Sequence, residues 1–395
     1  MKERKMDAKV KKEKVGWLTI FSVVSVWFGA HAGGGFASGN QEMNFFVQFG
    51  WPAVFTPILS MVVLALVYRV IVVMCNQHGV ADYSAWSRKL YEPHDKILSP
   101  VFEVCNLGAG MLATSASVAG AAAIIEEMLH MPYMASVVVM TVLVVALSMF
   151  GAKLISRASS VLVVLIMISV LIISFVGLSK GGAHISVDLY NHYAPKGMIR
   201  PVWMALTYAS FQVFSLLGTY GVCTQLKTEK ACNKATVLGF IINAAILTLL
   251  TVLCLAYRKD VTGNTLPILT ICKSLHNPVL TALYTVSLFC AFVSTAVSVV
   301  FGTVVRFEKY HIKFNLNKTL WDAIIGVIIV AISMFAASFG LTAIVAVGYG
   351  YLGIVGIFLV ALPALIVGTK KIRAFRTSGQ LMAEEKADAA SGGES

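Results

Sequence analysis

Charge is scarce in this chain. Only 13% of its residues are Asp, Glu, Lys or Arg and 58% are hydrophobic, where a soluble globule carries about 25% charged and 45–50% apolar residues. That shortage excludes a water-soluble globular domain and leaves an all-α integral membrane protein. Acidic residues are scarcest, 19 against 31 Lys and Arg, for a net charge of +12. An excess of that sign can signal nucleic acid, but the basic residues sit at the ends of apolar runs rather than on one soluble face, so topology accounts for them and no nucleic-acid partner is expected. The seven cysteines form no CxxC and no Cys/His metal spacing, which leaves them as reduced packing residues. HExxH, GxSxG and paired-Asp motifs are missing too, so nothing points to an enzyme. No continuous polar face runs along several apolar stretches, as a channel requires.

What is present is a series of long apolar runs. The basic stretch Lys2 to Lys14 leads into about 33 apolar residues, beyond the 7–15 of a signal-peptide core, so the first run is expected to stay as a helix. About 20 apolar residues cross the hydrocarbon, and ten such runs occur: Gly16 to Phe49, Pro52 to Met74, Ile97 to Leu129, Tyr133 to Phe150, Leu154 to Leu178, Pro201 to Leu226, Ala235 to Tyr257, Pro278 to Val305, Leu320 to Ala337 and Leu341 to Val367. Short surface helices are expected at Tyr83 to Leu90 and Leu266 to Leu275. The expected organisation is a basic tail 1–15, a first five-helix half 16–178, an outer loop 179–200, a second half 201–368 and a disordered tail 369–395. With the amino terminus inside, 25 of the 31 basic residues are cytoplasmic and six (Lys180, Lys196, Arg200, Arg258, Lys259, Lys273) lie outside. Both termini are then cytoplasmic, in a multi-pass protein of a bacterial inner membrane.

The stretch Gly29 to Gly39, Gly-Ala-His-Ala-Gly-Gly-Gly-Phe-Ala-Ser-Gly, falls in the middle of the first run. Each Gly costs a helix roughly 0.8–1 kcal/mol against Ala, so three in succession favour unwinding by about 3 kcal/mol. Unwound backbone at bilayer depth is tolerated only when buried in protein or lining a wet cavity. Free amides of Gly34 and Gly35 can hold a carboxylate at the start of a second half-helix, and carbonyls near Gly29 and Ala32 can hold a cation. The competing reading is close packing of helices through small residues. The sixth run carries Ser210, Gln212, Ser215, Gly218, Thr219 and Gly221 and is expected to be interrupted as well. Interrupted segments in corresponding positions, five runs apart, point to a 5+5 inverted repeat with its site at the midplane. In the eighth run, Ser294 and Thr295, with the carbonyl of Ala291 a turn earlier, offer the hard neutral oxygens of an alkali-ion site; interhelical packing is the ordinary alternative.

These residues together resemble the LeuT fold of the amino acid-polyamine-organocation superfamily. The phrase Gly33 to Gly39, followed by Glu42 and Phe45-Phe46, resembles the YkvI-type bacterial membrane proteins. The resemblance implies a sodium ion held by Gly29, Ala32, Ala291, Ser294 and Thr295, and a solute held by Ala30, His31, Gly33, Gly34, Gly35 and the stretch Tyr208, Ala209, Ser210, Phe211 and Gln212. Sodium-coupled relatives with a second ion place an Asn where this chain has Phe36, which implies one sodium. Some sodium-independent relatives use a fifth-helix lysine instead, a role that Lys153 or Arg157 could fill, but their place near the membrane edge and the intact Ser294-Thr295 pair argue against it.

Ionisable groups at depth are costly, and their default reading is functional. His31 is expected to contact solute, to carry a proton or to pack as a neutral ring. Glu42 is a candidate outer gate or cation attractor. Arg69 and Glu103 are candidates for an inner-gate ion pair, with snorkelling as the alternative. Trp203, Tyr208, Phe211 and Phe214 suit either helix packing or a quaternary amine. Glu127 and His130 are expected to be solvated. The function expected is sodium-coupled symport of a small amino acid or related carboxylated solute, with sodium as coupling ion and no cofactor. The alternatives are a proton-coupled or uncoupled carrier of amines or organic cations, and a non-transporting sensor.

Overall fold

A computed structural model describes residues 15–150, 152–307 and 317–378. The side chains of Lys153 and Arg157 and the tails expected at residues 1–14 and 379–395 lie outside what it describes. The described residues form helices and no strand. Among the described residues eight helices are long and apolar enough to cross a membrane, and each falls on one of the apolar runs; Trp17–His31 and Tyr133–Ser148 are shorter apolar helices on two further runs.

The first run opens as α1 (Trp17–His31), continues as the one-turn α2 (Gly34–Ala37) and ends as α3 (Asn40–Phe45). Two 3-10 turns, Val47–Phe49 and Trp51–Val54, lead to α4 (Thr56–His78). The surface helix α5 (Tyr83–Tyr91) is capped by Asp82, whose side chain accepts from Ala85 N at 2.7 Å. Next come α6 (Asp95–Leu129), α7 (Tyr133–Phe150) and α8 (Ala152–Tyr190). The loop expected from residue 179 is therefore helical as far as Tyr190, running through Gly181 and Gly182, and Gly181 packs so closely on Tyr257 that a methyl there would lie 2.6 Å from its ring. The sixth run holds α9 (Ile199–Gln212) and α10 (Leu217–Cys223). The second half continues with α11 (Glu229–Ala256), α12 (Arg258–Val261), α13 (Pro267–Ser274), α14 (Pro278–Phe307), α15 (Lys318–Ala337) and α16 (Leu341–Ser378). The charged residues from Thr369 to Ser378 extend α16, where a disordered tail was expected.

Close packing relies on small residues, as it must where lipid tails supply no hydrophobic drive between helices. α14 packs along α6 and α8, α11 along α4, and α9 between α4 and α16. A methyl group on Gly356 of α16 would sit 2.5 Å from the carbonyl oxygen of Ser210 in α9, and one on Gly353 would overlap that of Thr207. The wider core is aromatic and aliphatic. Trp27 of α1 is fully buried and stacks on Tyr68 of α4 with ring centroids 4.1 Å apart.

Candidate functional site

The first run stops being helical at two places, and each has its own cause. Ala32 (φ −83°, ψ 45°) leaves the helix and Gly33 (φ −74°, ψ 176°) is extended, a conformation open to any residue. The demand at this point is space: a methyl on Gly34 would lie 2.5 Å from the Phe292 ring of α14. The second stop is conformational. Gly39 has φ +84°, which costs a residue with a Cβ about 1–2 kcal/mol, and a methyl there would also reach Ile268 of α13 at 2.8 Å. The half-helix expected to start at Gly34 is thus one turn followed by a fresh start at Asn40, so the dipole at Gly34 is that of a single turn.

The sixth run differs from the expectation. It stays helical throughout, tightened to 3-10 geometry over Val213–Leu216. Its glycines, Gly218 and Gly221, are isolated, so no local glycine cluster offsets the loss of helical hydrogen bonds.

Between these elements lies a buried polar network. His31, at the end of α1, places Nδ1 2.8 Å from Asn243 Oδ1 of α11 and Nε2 2.9 Å from the Tyr208 hydroxyl of α9. Gln212 Nε2 donates to the same hydroxyl at 3.1 Å, and Ser215 Oγ donates to Gln212 Oε1 at 2.9 Å. Gln41 Oε1 accepts more distantly, at 3.4 Å, from both Tyr208 and Gln212. His31, Gln41, Tyr208, Gln212 and Asn243 are all at most 6% exposed. Of the solute residues expected, the structure joins His31, Tyr208 and Gln212 directly. Ala209, Ser210 and Phe211 are buried on α9, with Phe211 stacked flat on Tyr349 at 4.7 Å. Ala30, Gly33 and Gly35 are half-buried in the break. Gln41 and Asn243 were missed, although a polar residue in mid-run is the signal that finds them.

Of the expected ion residues, Ala291, Ser294 and Thr295 lie within one turn of α14, and it is Gly33, expected to hold solute, that faces them, with Thr295 Oγ1 3.9 Å from where its Cβ would be. Ser294 Oγ and Thr295 Oγ1 both donate to the Ala291 carbonyl, at 3.1 and 2.8 Å, which leaves their own lone pairs directed elsewhere. Gly29, with nothing within 4 Å of its Cβ position, stands apart on an open side. No group of three or more His, Cys, Asp or Glu suited to a metal occurs among the described residues.

Both flanks of the break are packed. Beyond it, Asn40, Gln41, Glu42, Phe45, Phe46 and Val47 are buried. α13 meets the chain at Ser38, Ile268 N donating to Ser38 O at 3.1 Å, and Tyr284 of α14 donates to Ala37 O at 2.6 Å. Before it, His31 and Ala32 are buried, and Gly29 and Ala30 are half-buried with open space beside Gly29.

The remaining candidates are corrected by geometry. Arg69 does not pair with Glu103. Its guanidinium meets Glu229 at 2.8 Å and Asn233 at 2.8 Å, because α4 lies along α11. Glu103 instead accepts from Tyr83 at 2.5 Å across the α5–α6 contact; burial, and after it this bond, raises the Tyr83 hydroxyl above the usual phenol range. Glu127, expected to be solvated, pairs with Lys273 of α13 at 2.6 Å. Trp203 points outward, 40% exposed, away from the buried Tyr208, Phe211 and Phe214.

No protein-family model and no curated protein matches the chain. Solved structures do resemble it. The crystal structure of MhsT in complex with L-phenylalanine aligns with 92% of this chain and 98% of its own at 15% identity and a TM-score of 0.57. Two mutant forms of the Eremococcus coleocola manganese transporter align with 92% of this chain and 88% of theirs at 12% identity, with TM-scores of 0.49 and 0.46. The likeness to MhsT spans nearly both chains, and the fold of this membrane protein is accordingly the LeuT fold.

Proposed function

We propose that this chain is a secondary transporter working by alternating access, built from ten crossings in two inverted halves of five. The observation that carries the reading is the break itself: α1 ends at His31, Ala32 and Gly33 are non-helical, and a polar network of His31, Tyr208, Gln212 and Asn243 is buried beside them. Irregular backbone at membrane depth, buried between helices beside polar side chains, is what a carrier needs and a purely structural bundle does not.

The cargo proposed is a small amino acid or related carboxylated solute. The free amides at Gly33 to Gly35 suit a carboxylate, while His31, Tyr208, Gln41, Gln212 and Asn243 supply donors and acceptors for the remainder. These side chains now hydrogen-bond one another, so a solute entering the break has to exchange those bonds for its own. Sodium is the proposed coupling ion, shared between α1 and the hydroxyls of Ser294 and Thr295. The carbonyl of Ala291 joins its shell once those hydroxyls turn away. An ion there ties α1 to α14, and solute bridges the break to α9, so each binding event shifts which side is open.

The test is reconstitution into liposomes with an imposed sodium gradient, screening labelled amino acids and amines. Solute accumulation above equilibrium that collapses with the gradient is the expected result. Saturable binding with no accumulation of any bound solute overturns the transporter reading in favour of a sensor.

A further inference from the structure

Glu42 is fully buried, and neither of its carboxylate oxygens has a hydrogen-bond partner. It lies three residues beyond the left-handed Gly39, next to Gln41 of the polar network. The elements packed on α3 bring few groups that titrate: Tyr208 on α9 and Cys254 on α11 act on it electrostatically, as does Tyr284 on α14. Each of these is a neutral acid that adds no positive charge. Tyr284 spends its hydrogen on Ala37 O, Tyr208 sits between His31 and Gln212, and Tyr349 of α16 stacks on Phe211. The His31 ring is taken up by Asn243 and Tyr208.

A bare carboxylate in such a place is among the costliest things a fold can bury, whereas a carboxylic acid is tolerated as a polar neutral group. A sodium ion in the same spot would need several oxygens held around it, whereas neither Glu42 oxygen has even one hydrogen-bonding partner. The smallest cation needs none. We propose that Glu42 is a proton-binding site, loaded whenever α3 is packed against α9, α11 and α16 as here, and unloaded only when this half opens to water. Closure of the outer half and uptake of one proton are then the same event, in addition to any ion at Ser294 and Thr295. Both the burial of Glu42 and the hinge at Gly39 belong to this closing element. For its consequence, coupling of solute movement to pH, the proposal rests on the transporter reading; for the proton itself it does not.

The experiment is infrared spectroscopy of the full chain in phosphatidylethanolamine and phosphatidylglycerol liposomes at about pH 7, for wild type, Glu42→Gln and Glu42→Asp. A protonated-carboxyl stretching band is expected in wild type, lost in Glu42→Gln and shifted in Glu42→Asp, whose acid still folds into the same place. A band unchanged in Glu42→Gln, or absent from wild type, overturns the assignment. In the same liposomes, an inside-alkaline pH gradient without sodium is followed with a trapped pH dye. Proton entry stimulated by a solute found in the screen, and abolished by Glu42→Gln, supports the coupling. Loss of the band in Glu42→Gln with no solute movement in wild type keeps the proton site and removes the transporter reading. Sodium-driven uptake with the band unaltered by the mutation does the reverse.

Discussion

The ring of His31 stands between Asn243 and Tyr208, 2.8 Å from one and 2.9 Å from the other, so a single imidazole at the end of α1 joins α11 to α9. Its two nitrogens use both partners at once, which fixes the ring plane and with it the last turn before the break. Phe36, across the gap, closes over the same ring at 4.8 Å.

Removing the Tyr208 hydroxyl strips an acceptor or donor from His31 and from Gln212 together. Tyr208→Phe is expected to destabilise by about 1–3 kcal/mol, the cost of leaving buried polar groups unpaired. His31→Ala should do likewise, and the double variant should cost clearly less than the sum, because both changes delete one shared bond. Thermal unfolding of the four proteins in detergent measures the coupling; strict additivity would show that the two side chains act independently.

Gly34 is needed for room. Gly34→Ala places a methyl against the Phe292 ring, and overpacking of this kind costs about 1–3 kcal/mol. Phe292→Leu in the same chain should recover part of that loss by vacating the space. If the second change gives no recovery in melting temperature, the penalty comes from the backbone of α2 and not from the ring.

The sodium proposal turns on two hydroxyls. Ser294→Ala with Thr295→Ala is expected to abolish sodium-dependent thermal stabilisation and sodium-stimulated uptake while changing the sodium-free stability by only about 1 kcal/mol, since each hydroxyl bonds only its own helix. Undiminished stabilisation by sodium in the double variant would remove the ion from this place.

Glu229 collects Arg69 and Arg376, tying α4, α11 and the end of α16 together at one end of the bundle. The three side chains are 30–44% exposed, so solvent screens them and the ties contribute only about 0–1 kcal/mol to stability. Glu229→Gln should barely move the melting temperature. It should instead raise the reactivity of the neighbouring buried Cys232 toward a maleimide, as this end of the bundle loosens. A large drop in melting temperature with unchanged labelling contradicts that account.

Much of this molecule was legible in the run of residues. The cluster Gly29 to Gly39 marks where the first helix ends, because the cost of glycine in a helix is local and adds up along the chain. It did not reveal that the ending is double, one stop set by the space beside Phe292 and another by the left-handed Gly39. The sixth run misled: scattered Gly and Ser there produce 3-10 tightening over Val213–Leu216 and not an opening. Arg69 and Glu103 suggested a pair by depth alone, yet they face different neighbours around their helices.

The sequence by itself determined the apolar runs, the membrane character and the place at which the first helix breaks, since hydrophobicity and helix propensity act within a few residues. Only the tertiary structure decided the partners. His31 meets Asn243 across 212 residues and Arg69 meets Glu229 across 160, and such meetings depend on how each helix is rotated and slid against its neighbours. That is settled by the packing of glycines and rings throughout the bundle, which no local stretch of sequence contains.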